Sequence, residues 1–274
     1  MPAINTNAAA NAAVRYLNLN SAQETSSLSK LSSGSRITSA SDDAAGLAIS
    51  TRISSDVTTL QQAATNASQA TSILQTADGG ASNISDILAR MKSLASESAS
   101  GTTTDSSRAY INSEFSQLSS EIDSIASGTR YSNQSLLDGS SVFASGVSVL
   151  VGSSSTDTIT VTLSSLKASA LGVSTLDVST QAGANTALTT LDTAINNVSA
   201  ARASIGAQES RFNFSSDSIS TQTQNLQSAN SAIKDVDIAA EQAKLSSAEV
   251  KTQAAVSAEA AANQMPQYLL KLLG

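Results

Sequence analysis

Two adjacent carboxylates, Asp42 and Asp43, lie in LSSGSRITSASDDAAGLAIS, residues 31–50, with an arginine and several hydroxyl side chains. Paired carboxylates could serve as a general acid and base, or bind a divalent cation. Consecutive helical residues, however, point about 100° apart and do not converge on one substrate or ion. The segment therefore predicts a loop with a turn at Gly34, followed by a helix whose N-cap is Ser41 or Asp42.

The composition removes most other catalytic chemistry. The 274 residues include no cysteine and no histidine, which excludes disulfides, thiolate ligands and imidazole bases. A serine nucleophile would lack its usual base, and a metal ion could bind only to carboxylates and carbonyls. We expect no enzymatic activity, no metal site and no cofactor.

Charge and hydropathy limit the classes of partner. The net charge is −7, and no long basic run occurs, which argues against binding to nucleic acid or to a membrane surface. No apolar run is long enough to cross a bilayer, and the N-terminus lacks the apolar core of a cleaved signal peptide. Composition alone therefore favours the cytoplasm.

The first half of the chain predicts a helix from about Asp43 to Ser98, which would be roughly 80 Å long at 1.5 Å per residue. Its apolar positions recur in steps of three and four, with Ala64 among them and one expected break in phase near Ala70. Gly79 and Gly80 weaken the helix. A single small core cannot bury a helix of this length.

The second half carries a stricter repeat, which we call the heptad seam. Companion positions such as Gln208 and Gln222 are polar, so we expect a long helix that packs lengthwise on other helices and has one wet flank. The heptad seam consists of Leu191, Val198, Ile205, Phe212, Ile219, Leu226 and Ile233.

A third helix is predicted for residues 107–127, with Asp105 or Ser106 as its N-cap. VSVLVG at 147–152 and TITVTL at 158–163 predict a β-hairpin. The expected fold class is mainly α, a long antiparallel helical bundle of coiled-coil type with a small β-hairpin near residues 141–165.

The two ends of the chain have narrow apolar faces built from alanine and leucine. Ordering a backbone residue costs about 1–2 kcal/mol, which such faces cannot offset within one molecule. We expect both terminal segments to be disordered in the isolated chain.

Several motifs, in one order, resemble bacterial flagellin. The similarity covers residues 4–165 and 185–274. The matching segments are INTN, the LSSG-R-I–S-A–DDAAG pattern, TSILQTADGGASNISDILARMKSLASES, RYSNQSLLDG, SIGAQESRFNF and ANQMPQYLLKLLG.

The resemblance implies a subunit of the helical flagellar filament, which serves motility. Residues 1–40 with 235–274 would form an inner layer of terminal helices, and residues 41–183 with 184–234 the surrounding layer with the hairpin. Only about 20 residues separate hairpin and helix, so no outer variable domain is expected. The residues expected to pack in the inner layer are Leu17, Leu28, Leu31, Val256, Met265, Leu269, Leu272 and Leu273.

The resemblance also implies a route and a set of partners. Flagellins leave the cell unfolded through the flagellar type III channel, without a cleaved signal, and assemble outside it. The partners would be other copies of the chain, the flagellar cap, hook-associated proteins and an export chaperone. Host recognition by the flagellin-specific Toll-like receptor would involve Arg90, Leu94 and Glu114, of which Arg90 and Leu94 are four residues apart on one helix face.

Three alternatives remain at this point. A hook–filament junction protein shares flagellin-like ends and is the main alternative. A secreted coiled-coil adhesin or effector would explain the heptads but not the motifs at both ends. An enzyme is disfavoured because no group of catalytic side chains is evident.

Overall fold

The computed structural model describes residues 7–273, with the backbone alone for residues 266 and 268–273. Residues up to 55 and from 225 onward form one compact unit, the terminal unit, and residues 56–224 form the central unit. The helices are α1 (Ala8–Ser33), α2 (Ala44–Ala99), α3 (Asp105–Gly128), α4 (Val142–Ser145), α5 (Gln181–Lys234) and α6 (Ile238–Leu273). The strands are β1 (Arg130–Tyr131), β2 (Gln134–Ser135), β3 (Val147–Leu150) and β4 (Thr158–Val161). The expected fold class, long packed helices with a small hairpin, is confirmed.

Helix α2 buries a continuous heptad stripe within the central unit. Ala63 is buried and Ala64 is only half-buried, so the steps alternate between three and four without interruption. The expected break in phase near Ala70 is therefore wrong. Because both candidates are alanines, the sequence alone did not distinguish which one faces the core. The buried stripe is Leu60, Ala63, Ala67, Ala70, Leu74, Ala77, Ala81, Ile84, Leu88, Met91, Ala95 and Ser98.

Helix α5 runs antiparallel to α2 in the central unit. Arg202 Nε donates to Asp78 Oδ1 at 2.8 Å, and Lys92 forms an ion pair with Asp192, so the numbering rises along one helix as it falls along the other. The heptad seam is buried from Leu191 through Val198, Ile205 and Phe212 to Ile219. Its last two residues, Leu226 and Ile233, belong to the terminal unit and are only half-buried.

Some polar companion positions of the heptad seam are less exposed to solvent than expected. Gln208 is only 6% exposed, because its amide bonds to the backbone of Thr162 just after β4. The Thr162 amide donates to Gln208 Oε1 at 2.9 Å, and Gln208 Nε2 donates to the Thr162 carbonyl at 3.0 Å. The expected wet flank therefore begins beyond the hairpin, where Gln222 and Ala229 are exposed.

Helix α3 begins two residues before the expected position. Its N-cap is Thr104, whose hydroxyl accepts from the Ser107 amide at 3.3 Å, so the prediction of Asp105 or Ser106 is wrong. Asp105 instead pairs with the buried guanidinium of Arg108 at 2.9 Å. That guanidinium also donates to the Ser98 carbonyl at 2.8 Å, which satisfies a free carbonyl at the end of α2.

Two antiparallel hairpins follow α3. The expected one pairs β3 with β4, from Val147 opposite Val161 to Leu150 opposite Thr158. The unexpected one is the short pair β1–β2, whose two-residue turn places Ser132 and Asn133 at positive φ. The buried Leu136 and Leu137 follow it directly.

The adjacent glycines of α2 provide a matched test of the packing. A Cβ on Gly79 would meet nothing within 4 Å, whereas one on Gly80 would lie 2.9 Å from Leu137 Cδ1. Gly79→Ala should raise the free energy of unfolding by about 0.5–1 kcal/mol, because alanine has less backbone freedom to lose. Gly80→Ala should lower it by about 1–3 kcal/mol through overpacking. Denaturant titration followed by circular dichroism compares the two variants, and equal midpoints would contradict this packing.

Candidate assembly surface

The terminal unit pairs the two ends of the chain. Helices α1 and α6 run antiparallel, because Asn7 Nδ2 donates to the Ala262 carbonyl at 2.7 Å while Ser27 Oγ donates to Glu241 Oε1 at 2.8 Å. Asn7 is also the N-cap of α1, where its Oδ1 accepts from the Ala10 amide at 3.1 Å. One side chain thus starts α1 and connects it to α6.

The contact between α1 and α6 is made mainly by small side chains. Such residues let the helix axes approach closely, but each one removes little apolar area from water. The interior of the pair therefore contributes little hydrophobic stabilisation for its length. The buried residues are Ala10 and Ser27 on α1, with Glu241, Leu245, Ala248, Ala255 and Ala262 on α6.

Most of the large apolar side chains described on the same two helices are exposed to solvent. We define the assembly surface as the eight of them that are each 38% to 69% exposed. Covering a large aliphatic side chain is worth about 1.5–3 kcal/mol, so these side chains represent stabilisation that the isolated chain does not obtain. Exposed apolar surface on this scale marks an interaction site. The assembly surface consists of Val14, Tyr16, Leu19, Leu28, Ile238, Val250, Val256 and Met265.

The inner-layer residues named from the sequence fall into three groups. Leu28, Val256 and Met265 belong to the assembly surface, and Leu17 and Leu31 are half-buried. The side chains of Leu269, Leu272 and Leu273 lie outside the described residues.

Sequence reasoning missed five members of the assembly surface, Val14, Tyr16, Leu19, Ile238 and Val250. The sequence gives no clear signal for them, because alanines and large apolar residues occur on several sides of both helices, and the buried side depends on how the two helices pack.

The segment of residues 31–50, which contains Asp42 and Asp43, connects the end of α1 to the end of α5 within the terminal unit. Gly34 ends α1 in the left-handed conformation, with φ of 68°, and Ser35 forms a bridge to Asp235. The Arg36 amide donates to the Lys234 carbonyl at 2.6 Å, and its guanidinium Nη2 donates to the Ile233 carbonyl at 2.8 Å. Arg36 therefore satisfies the free carbonyls at the end of α5.

Both carboxylates of that segment serve the backbone. Asp42 accepts from the amides of Thr38 and Ser39, each at 3.0 Å, and these hydrogen bonds, first those from Thr38, lower the pKa of Asp42 to about 2. Asp43 accepts from the Gly46 amide at 2.8 Å. Asp43 is therefore the N-cap of α2, and the prediction of Ser41 or Asp42 is wrong.

Neither a metal site nor a membrane span is found in the described residues 7–273. Within residues 7–273, no group of three or more metal-ligating side chains converges on a point. None of the helices in the described part of the chain contains a stretch apolar enough to span a bilayer.

The residues suggested for receptor contact do not all lie on the surface. Arg90 donates to Glu114 Oε1 from Nε at 3.0 Å and from Nη2 at 2.7 Å, and the two side chains are 56% and 45% exposed. Leu94 is only 2% exposed and packs in the core. Each residue advances about 100° around the helix axis, so four residues advance about 400°. Leu94 therefore lies some 40° around the helix from Arg90, on the side that faces the core.

The chain ends pair through small residues and leave larger apolar side chains exposed, which is the geometry of a structural subunit with an interaction surface. Residues 4–142 match the bacterial flagellin N-terminal helical region, and residues 188–273 match the bacterial flagellin C-terminal helical region. The chain belongs to the flagellin family.

Individual relatives agree with this assignment. A flagellin of Halalkalibacterium halodurans is 35% identical over 272 residues, which is 98% of this chain and 99% of the relative. The crystal structure of Bacillus cereus flagellin has a TM-score of 0.52 and 32% identity over 61% of this chain and 94% of that one. A putative flagellar hook-associated protein from Vibrio parahaemolyticus shares the fold, with a TM-score of 0.59 over 71% of this chain and all of that one, at 14% identity.

Family membership makes the chain a structural subunit of the extracellular flagellar filament. The cytoplasmic location favoured by composition alone is therefore wrong. Amino-acid composition indicates whether water or lipid surrounds a protein. Because water is present on both sides of the cell envelope, composition does not distinguish the cytoplasm from the cell exterior.

Glu241 should make the α1–α6 contact sensitive to acid. Hydrogen bonds from Lys244, first, and from Ser27 lower the pKa of this carboxyl below its usual 4.5. A depressed pKa stabilises the folded form above pH 4.5, and that contribution is lost as the pH falls through the lower folded value. Filaments should therefore weaken below about pH 4.5.

The measurement is filament turbidity against pH for Glu241→Gln and for Glu249→Gln, which removes an exposed charge from the same helix. Glu241→Gln should weaken filaments at pH 7 and flatten the acid transition, while Glu249→Gln should behave like the unmodified chain. Identical acid transitions in the two variants would contradict the role of Glu241.

Proposed function

We propose that neighbouring copies cover the assembly surface in the inner layer of the filament. The observation that carries this proposal is the exposure of eight large apolar side chains on helices whose mutual contact is made mainly by alanine and serine. Residues 1–40 and 235–274 form this inner layer, and residues 41–234 the next one, with no outer domain. Leu226 and Ile233, the half-buried end of the heptad seam, are covered in the same way.

The same surface supports export in an unfolded form followed by ordering on assembly. The terminal helices bury few large side chains, so their folding in isolation gains little against the entropy of ordering about 60 residues. An export chaperone that covers the exposed leucines and valines before secretion, and the flagellar cap that receives the chain at the filament tip, fit this chemistry. Hook-associated proteins are the neighbours at the filament base.

Polymerisation tests the proposal directly. The purified chain should form tubes of uniform width at high salt, and Val256→Ser should raise the concentration needed for polymerisation about tenfold, because a buried valine contributes about 1.5 kcal/mol. Val142→Ser is the matched control, a valine of similar exposure in the central unit, and should have a smaller effect. Equal effects of both variants would contradict a special role for the terminal helices.

Backbone NMR of the monomer tests the ordering step. Residues 5–30 and 245–272 should give the narrow, poorly dispersed signals of a disordered chain. Stable helices there before assembly would remove this part of the proposal.

The alternative within the same class is a hook–filament junction protein. Stoichiometry on purified flagella distinguishes the two, since a filament subunit is present in great excess over hook protein. A handful of copies per flagellum would favour the junction protein.

We also propose that the exposed Arg90–Glu114 pair contributes to recognition by a host Toll-like receptor. Both side chains reach solvent and present one positive and one negative group across α2 and α3. Leu94 is left out of this proposal because its side chain is buried.

A receptor reporter assay should show signalling weakened about tenfold or more by Arg90→Ala and Glu114→Ala, because losing one charged hydrogen bond costs at least about 1.5 kcal/mol. Arg202→Ala, which breaks another partly exposed ion pair in the central unit, should signal normally. Unchanged signalling in the first two variants would remove the assignment.

A further inference from the structure

The side chain of Phe214, in the central unit, is largely exposed to water. The chain has four phenylalanines, and Phe115, Phe143 and Phe212 are buried, whereas Phe214 on α5 is 76% exposed. Aromatic side chains dominate interface energetics because each can bury 150–250 Å² or so of surface. In a chain that polymerises, an exposed phenylalanine between buried heptad positions is a candidate for a contact between copies.

The central unit also carries an open apolar groove between α2 and β3. Its volume is about 260 Å³, and Phe143 forms part of its lining. Ile73, Val147, Val149 and Leu150 also line it, yet each is only half-buried, so this apolar surface is incompletely covered. A cavity of about 150 Å³ can hold benzene, so the groove is large enough for a phenyl ring.

Phe214 and the groove lie at one level of the central unit but on separate surfaces. Arg202 pairs with Asp78 across antiparallel helices, so residue 214 on α5 stands at the level of residue 66 on α2. Asn66 lines the groove, where its Nδ2 donates to the Leu150 carbonyl at 3.2 Å. Phe214 is not part of the groove lining, so it does not fill the groove of its own copy.

We propose that Phe214 of one copy inserts its ring into the α2–β3 groove of a lateral neighbour. The inference rests on the proposed polymerisation, and the occupant is a second copy because the same chain supplies both the ring and the groove. Because the ring and the groove lie on separate surfaces of the chain, we expect a head-to-tail contact in which each copy donates one ring and receives one from a different neighbour. Apolar groups are matched on both sides, with no buried charge.

Disulfide trapping tests the contact, because the chain contains no cysteine of its own. Filaments of the double variant Phe214→Cys/Val149→Cys should give a ladder of covalent multimers on oxidation. Filaments that mix the two single variants should give covalent dimers only, and neither single variant should cross-link with itself. These patterns follow because residue 214 of one copy meets residue 149 of the next.

Tyr110→Cys/Val149→Cys is the control, since Tyr110 on α3 is even more exposed, at 80%, but has no place in the contact. If the double variant assembles poorly, the two cysteines are introduced at low dose into filaments of the unmodified chain, where 214–149 dimers are still expected. Cross-linking no stronger than in the Tyr110 control would overturn the inference. Filaments of the unmodified chain would still form in that case, so its failure is distinct from failure of the proposed function.

The second measurement is the critical concentration for polymerisation. Phe214→Ala should raise it about tenfold, or about 1.4 kcal/mol per contact, and Phe214→Leu should restore most of the loss. Far-UV circular dichroism of the monomer should be unchanged, because the side chain is not part of the core. A critical concentration equal to that of the unmodified chain would overturn the inference.

Discussion

The rest of the structure depends on one constraint: the contact between α1 and α6 is made mainly by small side chains and leaves large apolar side chains uncovered. Between α1 and α6 the buried positions are mostly alanine and serine, while residues such as Leu19, Val250 and Met265 remain in solvent. A monomeric protein would turn those side chains inward, because that is where they contribute most to stability. If neighbouring copies cover them, as we propose, the stability of the chain ends depends on the polymer and therefore on the protein concentration.

The charged residues near the start of α2 illustrate how a sequence can suggest catalysis and serve architecture. Asp42 and Asp43 accept hydrogen bonds from backbone amides, and Arg36 donates to the carbonyls that end α5. Each charge therefore compensates a helix end or a tight loop, where backbone groups have no partner within the helix. The contact between the segment at Ser35 and the end of α5 at Lys234 joins residues about 200 positions apart in the sequence. It therefore forms only when both segments are present.

Regular elements were predictable from the sequence wherever a period was visible. The long helices, the heptad seam and the β3–β4 hairpin follow from apolar spacing, which is a local property of the chain. The misses arose where two residues were locally equivalent or where a distant partner decided the outcome. Ala63 and Ala64 are chemically identical, and Gln208 is dry only because the Thr162 backbone lies beside it.

The candidate site was harder to predict for the same physical reason. Spacing indicated that Leu28, Val256 and Met265 lie on apolar faces, but it did not separate the face that pairs within the chain from the face left open. That distinction depends on which helix each segment meets. Leu94 shows the limit of spacing most clearly, since a rotation of some 40° on the helix separates an exposed arginine from a core leucine.

The small hairpin also limits how copies of this chain can associate incorrectly. Unpaired strand edges recruit other strands and lead to fibrous aggregates, a serious hazard for a protein that must become highly concentrated. Here β3 and β4 have four residues each, and amide side chains occupy backbone groups at their ends, Asn66 at the Leu150 carbonyl and Gln208 at both polar groups of Thr162. These hydrogen bonds and the short strands leave fewer backbone groups of the hairpin free to pair with a strand of another copy, which disfavours edge-to-edge pairing.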